Sequence, residues 1–126
     1  MHIVGLGMDA TEVDRIAASL DRYGDRFLQR VFTDGEIAYC MRRRNPAPHL
    51  AGRFAAKEAG MKAIGTGHAF GVLWRDLEVV RQSGSAPELA LHGVAAELAR
   101  AKGIARIHIT ITHDAGIAAA VAVAEG

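Results

Sequence analysis

The stretch "RFAAKEAGMKAIGTG", residues 53–67, decides how the chain is read. It predicts the second half of a long helix, running from about His49 to Ile64, with Gly65 as its C-terminal stop. The stretch also sets Lys57, Glu58 and Lys62 within an otherwise apolar run. Phe54, Glu58 and Lys62 recur at every fourth residue and share one face. One reading is an exposed Glu58–Lys62 pair, worth about 0.3–0.5 kcal/mol on a helix surface. The other is a phosphate-handling site, because Phe54 implies that this face packs, and buried charges need partners. Gly60, in mid-helix, admits a close neighbour. The "GTG" turn offers backbone N–H groups to an anion.

Working outward, "HIVGLGMD" reads as a short buried strand, with Gly5 and Gly7 bracketing its exit. A helix follows, with Thr11 near its start and Ile16, Leu20 and Tyr23 on one side, interrupted at Gly24. "RFLQRVF" is a second helical piece. Thr33 and Glu36 form a capping-box pattern opening a helix to about Arg43, before Pro46 and Pro48. After the long helix, "LEVVRQ" and "ELALHG" read as a hairpin around the turn "SGSAP". "VAAELARAK" is a short helix ended by Gly103. In "ARIHITIT", Ile107, Ile109 and Ile111 face one way and His108, Thr110 and Thr112 the other. The "HDAG" turn leads to a last strand or strand pair, "IAAAVAVAE". The mixed order predicts one α+β domain over residues 1–126, a mainly antiparallel sheet against one long helix and shorter ones.

Composition narrows the function classes. Half of the 126 residues are apolar and 23% are charged, an ordinary globular balance. A net charge of +1 gives no global field toward nucleic acid or a membrane surface, so any charge argument is local. No apolar run approaches the roughly 20 residues that span a bilayer, and "MHIVGLGMDA" carries no signal-peptide pattern. The single cysteine, Cys40, excludes an internal disulfide and fits a cytoplasmic protein.

Asp9, just past the first strand, reads either as the cap of the following helix or as a metal ligand on a rigid element. With Glu58 from a second element it would make the carboxylate pair that Mg²⁺ takes alongside substrate phosphates and waters. No Cys/His spacing fits zinc. Arg15, Arg22, Arg26 and Arg30 share a face if the helical phase holds across Gly24, which is either a solvated face or a surface for an acidic partner. Arg42–Arg44 form a second basic cluster, suited to a helix C-terminus. His113 ends a strand, as a structural residue or a phosphate contact.

Three blocks together resemble the holo-acyl-carrier-protein synthases, the short class of 4′-phosphopantetheinyl transferases. "IVGLGMDATEVDRI" is similar to the family's amino-terminal block. "RFAAKEAGMKAIGTG" matches its central block almost position for position, and "IHITITHDAGIAAAVAVAE" resembles its closing block. "RFLQRVFTDGE" and "DLEVVRQSGSAPELALHG" fit between them, so the resemblance spans nearly the whole chain.

The resemblance implies transfer of the phosphopantetheine arm of coenzyme A to a serine of apo acyl carrier protein. The other product is adenosine 3′,5′-bisphosphate, and Mg²⁺ is required. By motif match, Asp9 and Glu58 are the metal ligands and Lys62 meets the pyrophosphate or protonates the leaving group. Arg53 and His113 contact coenzyme A phosphates, and Gly65 lines the coenzyme site through its backbone. Arg15 and Arg22 dock the carrier protein's acidic helix. A homotrimer with sites between subunits is implied.

The chemistry agrees. Attack on a phosphoanhydride concentrates negative charge at the bridging oxygens, where a metal clamp and an ammonium both act. Glu58, a metal-bound water and Lys62 all remain open as the base that takes the serine proton. A non-catalytic trimer that holds coenzyme A or carrier protein is the alternative, but a polyanion binder gains nothing from two carboxylates without a metal between them. Ala10 and Thr11 stand where the family has apolar residues, which predicts looser packing around Asp9. Thr110 and Thr112, in place of serine, keep the hydroxyl.

Overall fold

The computed structural model describes residues 2–81 and 84–126. The first strand, β1 (Ile3–Glu12), runs directly into α1 (Val13–Tyr23). Gly24, at φ 54°, breaks the helix before α2 (Asp25–Val31), so the helical phase is not carried across and the four-arginine face does not form. Next comes α3 (Asp34–Met41), opened by the expected capping box: Glu36 N–H donates to Thr33 Oγ1 (3.3 Å), and Thr33 N–H donates to Glu36 Oε1 (2.9 Å). The long helix α4 (Pro46–Ile64) starts earlier than the sequence suggests, because proline is tolerated in a first helical turn, where its missing N–H costs nothing. The chain continues through β2 (Leu77–Val80), β3 (Glu88–Leu91), α5 (Gly93–Ala101), β4 (Arg106–Asp114) and β5 (Ile117–Glu125). Of the predicted hairpin, Gln82 and Ser83 lie outside the described residues.

The five strands form one antiparallel sheet in the order β1-β5-β4-β3-β2, so the fold is α+β, as the order of elements implies. The carboxyl-terminal segment is a single strand, paired on both sides. On β4, Ile107 and Ile109 are buried and Thr110 and Thr112 are exposed, as the alternation predicts. Helix α4 lies across β1, β5 and β4 and is buried nearly all round.

The approach of α4 to β1 is closer than a side chain permits. A Cβ at Gly5 would strike the Ala63 carbonyl, and one at Gly7 the Ala59 carbonyl. These glycines therefore sit inside the strand, under the helix, and do not bracket its exit. Gly60 does admit a close neighbour: the Leu77 and Leu89 side chains fill the place of its absent Cβ. The result fixes β1 against the last turns of α4, and with it Asp9 against Lys62.

The first strand is also not buried in the way its apolar residues suggest. It is an edge strand whose Ile3, Leu6 and Met8 are 64%, 63% and 67% exposed. Leu6 and Met8 pair with Val123 and Val121 of β5, so an apolar strip lies on the sheet face away from α4.

Candidate active site

The charges of residues 53–67 divide by depth. Lys57 is fully buried and belongs to the core. It shares a helix face with Gly60, Met61 and Ile64, all buried. Its ammonium pairs with the buried Glu36 at 2.6 Å and donates to the carbonyls of Trp74 (3.3 Å) and Leu77. Those contacts use all three of its hydrogens. Burial lowers the Lys57 pKa, and the Glu36 carboxylate opposes that shift without cancelling it. Glu36 in turn accepts the Val79 N–H (2.8 Å), so the pair joins α3, α4 and β2.

Glu58 and Lys62 reach the edge of the core but do not pair with each other. Lys62 Nζ donates to the Met8 carbonyl (2.9 Å) and lies 3.3 Å from Asp9 Oδ1. Asp9 sits in mid-strand opposite Ala120, and the N-cap position of the helix that follows is Glu12, so the capping reading of Asp9 falls. Thr11, expected to loosen this region, is buried and donates its hydroxyl to Asp9 Oδ2 at 3.0 Å. It holds the carboxylate instead. Glu58 is held from the other side: Trp74 Nε1–H donates to its Oε1 (3.2 Å), and His68 Nε2 lies 3.1 and 3.0 Å from its two oxygens. Both carboxylates have side chains 19% exposed, enough to reach a ligand while mostly shielded from water.

At the end of α4, Gly65 adopts φ 91° and caps the helix as expected. The "GTG" turn is no anion nest, however. The N–H groups of Gly65, Thr66 and Gly67 all turn back to the Met61 carbonyl (2.9, 3.1 and 3.4 Å). The positive charge beside Gly65 comes from Lys102, whose Nζ donates to the Ile64 carbonyl.

Arg53 belongs to α4 and His113 to β4. Both line a cleft of about 590 Å³ that also includes Tyr39, His49, Glu78, Arg81 and Thr110, and none of Asp9, Glu58, Lys62 or Gly65. The Arg43 and Arg53 guanidinium groups each lie 4.2 Å from the centre of the Tyr39 ring. The His49 ring is 6.3 Å from that of His113. Burial, followed by Arg43, Arg53 and His113, lowers the His49 pKa and keeps the ring neutral near pH 7. The Arg53 Nε–H is buried without a partner, a donor in a cleft rich in cations. At its acidic end, burial alone would raise the Glu78 carboxyl, but hydrogen bonds from Thr33 and His92 hold it below the usual range.

Of the predicted site residues, Asp9 and Lys62 meet where β1 crosses α4, Glu58 lies one turn before Lys62, Gly65 caps that helix, and Arg53 with His113 lines the cleft. Arg15 and Arg22, two turns apart on α1, are exposed and form a third surface. Sequence reasoning missed Thr11, His68 and Trp74, which orient the two carboxylates, and His49 and Tyr39 in the cleft. For Trp74 the available signal was that it is the only tryptophan, in the segment after the "GTG" turn.

The donor set fits a magnesium-like ion. It consists of carboxylate oxygens on two rigid elements, each restrained by a neighbouring donor, with a lysine at hand for an anion. Mg²⁺ usually takes one or two carboxylates and completes its shell with substrate oxygens and water. Among the described residues no group of three or more His, Cys, Asp and Glu side chains offers a fuller cage.

Comparison with known proteins agrees with this reading of the fold. The family model described as the 4′-phosphopantetheinyl transferase superfamily matches residues 5–121. A holo-[acyl-carrier-protein] synthase of Solibacter usitatus is 54% identical over 115 residues, covering 91% of this chain and 92% of its own. The crystal structure of holo-[acyl-carrier-protein] synthase from Neisseria meningitidis superposes with a TM-score of 0.89 at 30% identity, over 99% of this chain and 100% of that one. The Helicobacter pylori synthase, solved in complex with coenzyme A, gives a TM-score of 0.83 at 30% identity, over 95% and 99% of the two chains. The chain belongs to the 4′-phosphopantetheinyl transferase superfamily, and within it to the holo-[acyl-carrier-protein] synthases.

Proposed function

We propose that the chain transfers 4′-phosphopantetheine from coenzyme A to a serine of apo acyl carrier protein, releasing adenosine 3′,5′-bisphosphate, with Mg²⁺ held by Asp9 and Glu58. The observation that carries the reading is the meeting of β1 and α4. It sets Lys62 3.3 Å from Asp9, and Glu58 lies one helical turn before Lys62. The ion supplies charge neutralisation at the pyrophosphate when bound. The chain's own groups do the rest. Lys62 spends two hydrogens on Met8 and Asp9 and keeps the third for a phosphate oxygen. Thr11 fixes Asp9 and Trp74 fixes Glu58, so neither carboxylate reorganises as charge develops.

A site shared between subunits is part of this reading. A coenzyme held at Asp9 and Glu58 of one chain would meet Arg53 and His113 of another. The apolar strip of Leu6, Met8 and Val121 supports self-association, and a homotrimer is the proposed assembly. Exposed Arg15 and Arg22 would dock the acidic carrier protein. No helix among the described residues is long and apolar enough to cross a membrane. Asp9→Ala and Glu58→Ala test the assignment. Each is expected to lower kcat by at least about a hundredfold, the scale of losing one preorganised electrostatic group, while the unfolding midpoint stays near that of the unaltered protein. Full activity in both variants would overturn the metal assignment.

A further inference from the structure

Lys57 is buried one residue before Glu58, and its partners explain more than core stability. Its ammonium grips the carbonyls of Trp74 and Leu77, the first residue of a short 3-10 turn (Trp74–Asp76) and the residue just after it. The indole that this anchoring places then donates its N–H to Glu58 Oε1 at 3.2 Å. The ring is braced on several sides: Phe54 lies 6.1 Å away centroid to centroid, His68 meets it edge-on at 4.6 Å, and the Arg30 guanidinium lies 5.9 Å from its centre. His68 is different in kind. It is exposed, and it contacts both oxygens of Glu58, so it competes with any cation for their lone pairs. The indole N–H touches one oxygen only and comes from a ring that packing holds in place.

We propose that Trp74 is a positioning residue for Glu58: its indole N–H, set by the Lys57–carbonyl contacts, holds the carboxylate in the rotamer that binds the divalent cation. The proposal rests on the reading that Glu58 is a cation ligand. A hydrogen bond to a charged acceptor is about twice as strong as a neutral one. Losing it frees Glu58 to rotate and weakens the cation site without touching the coenzyme directly.

The test is Trp74→Phe, which keeps a ring and removes the N–H. Mn²⁺ binding is followed by electron paramagnetic resonance on the whole protein with coenzyme A present. The expected result is about tenfold weaker Mn²⁺ binding, the size of effect of one charge-assisted bond. The half-saturating Mg²⁺ for transfer should rise by a similar factor, with coenzyme A affinity in EDTA retained. Unchanged Mn²⁺ affinity would overturn the proposal. So would an equal loss of coenzyme affinity in EDTA, because the effect would then not run through the cation. Should the variant fail to fold, the unaltered protein answers the question. Trp74 is the sole tryptophan, so Mn²⁺ bound at Glu58 must quench its emission; bound Mn²⁺ without quenching overturns the proposal. Absence of both Mn²⁺ binding and carrier modification in the unaltered protein would instead overturn the transferase reading on which the proposal stands.

Discussion

Replacing Lys57 by methionine removes one charge from a place that no water reaches. Methionine fills nearly the same space, so the cavity term is small. What remains is electrostatic and polar. Glu36 loses its cation at 2.6 Å but keeps two backbone donors, Thr33 N–H at 2.9 Å and Val79 N–H at 2.8 Å. Two carbonyls, those of Trp74 and Leu77, lose the ammonium that bonded them. Breaking a buried pair from one side costs about 3–5 kcal/mol. The surviving donors on Glu36 place Lys57→Met near the low end of that range, and the two orphaned carbonyls move it back up, giving about 4 kcal/mol. Equilibrium urea unfolding at pH 7 measures it as a shift of the midpoint at constant slope. Glu36→Gln and the double variant complete a cycle, with an expected coupling of at least about 1 kcal/mol. A loss below about 1 kcal/mol for Lys57→Met, or strict additivity in the cycle, would refute the claim that this pair is the keystone between α3, α4 and β2.

Three further outcomes are expected. Arg15→Glu weakens binding of carrier protein while leaving coenzyme A affinity unchanged, read by calorimetry with each ligand; equal carrier affinity removes α1 as the docking surface. Met8→Glu places a charge in the apolar strip and is expected to convert the proposed trimer to single chains, read by light scattering behind a sizing column. A trimer that survives this substitution assigns the interface elsewhere. Burial pushes the Cys40 thiol up to about 11, so it is unreactive in the native state. Disulfide-exchange labelling at pH 8 should proceed only as fast as the protein opens. Because the folded pKa lies above the unfolded one, this thiol's contribution to stability is full below the unfolded pKa and is lost as pH rises toward about 11.

Much of the site was legible because its residues carry their chemistry in short spacings. Glu58 and Lys62 lie one turn apart on a helix whose end Gly65 marks, and the structure keeps that arrangement. Alternation in β4 and the capping box of α3 were local signals, and both hold. What failed was long-range. The chain does not announce that Lys57 meets Glu36, because the contact joins two helices and depends on how α4 crosses the sheet. Periodicity carried a hint, since Lys57 shares a stripe with Gly60, Met61 and Ile64. The glycines of β1 read as the bracket of its exit because a glycine that admits a helix and a glycine that ends a strand look alike in sequence. Thr11 looked like a departure from an apolar pattern, and only the fold reveals the carboxylate beside it. The "GTG" amides looked free because their acceptor, the Met61 carbonyl, is a backbone group with no signature.

Transfer to the carrier protein is read from the intact mass of the product. Apo acyl carrier protein is incubated with this protein, coenzyme A and Mg²⁺, with an EDTA control. The carrier is expected to gain the mass of one phosphopantetheine when Mg²⁺ is present and none in EDTA. A carrier of unchanged mass in Mg²⁺, under conditions where coenzyme A still binds the protein, would contradict the transfer and leave a non-catalytic binder in its place.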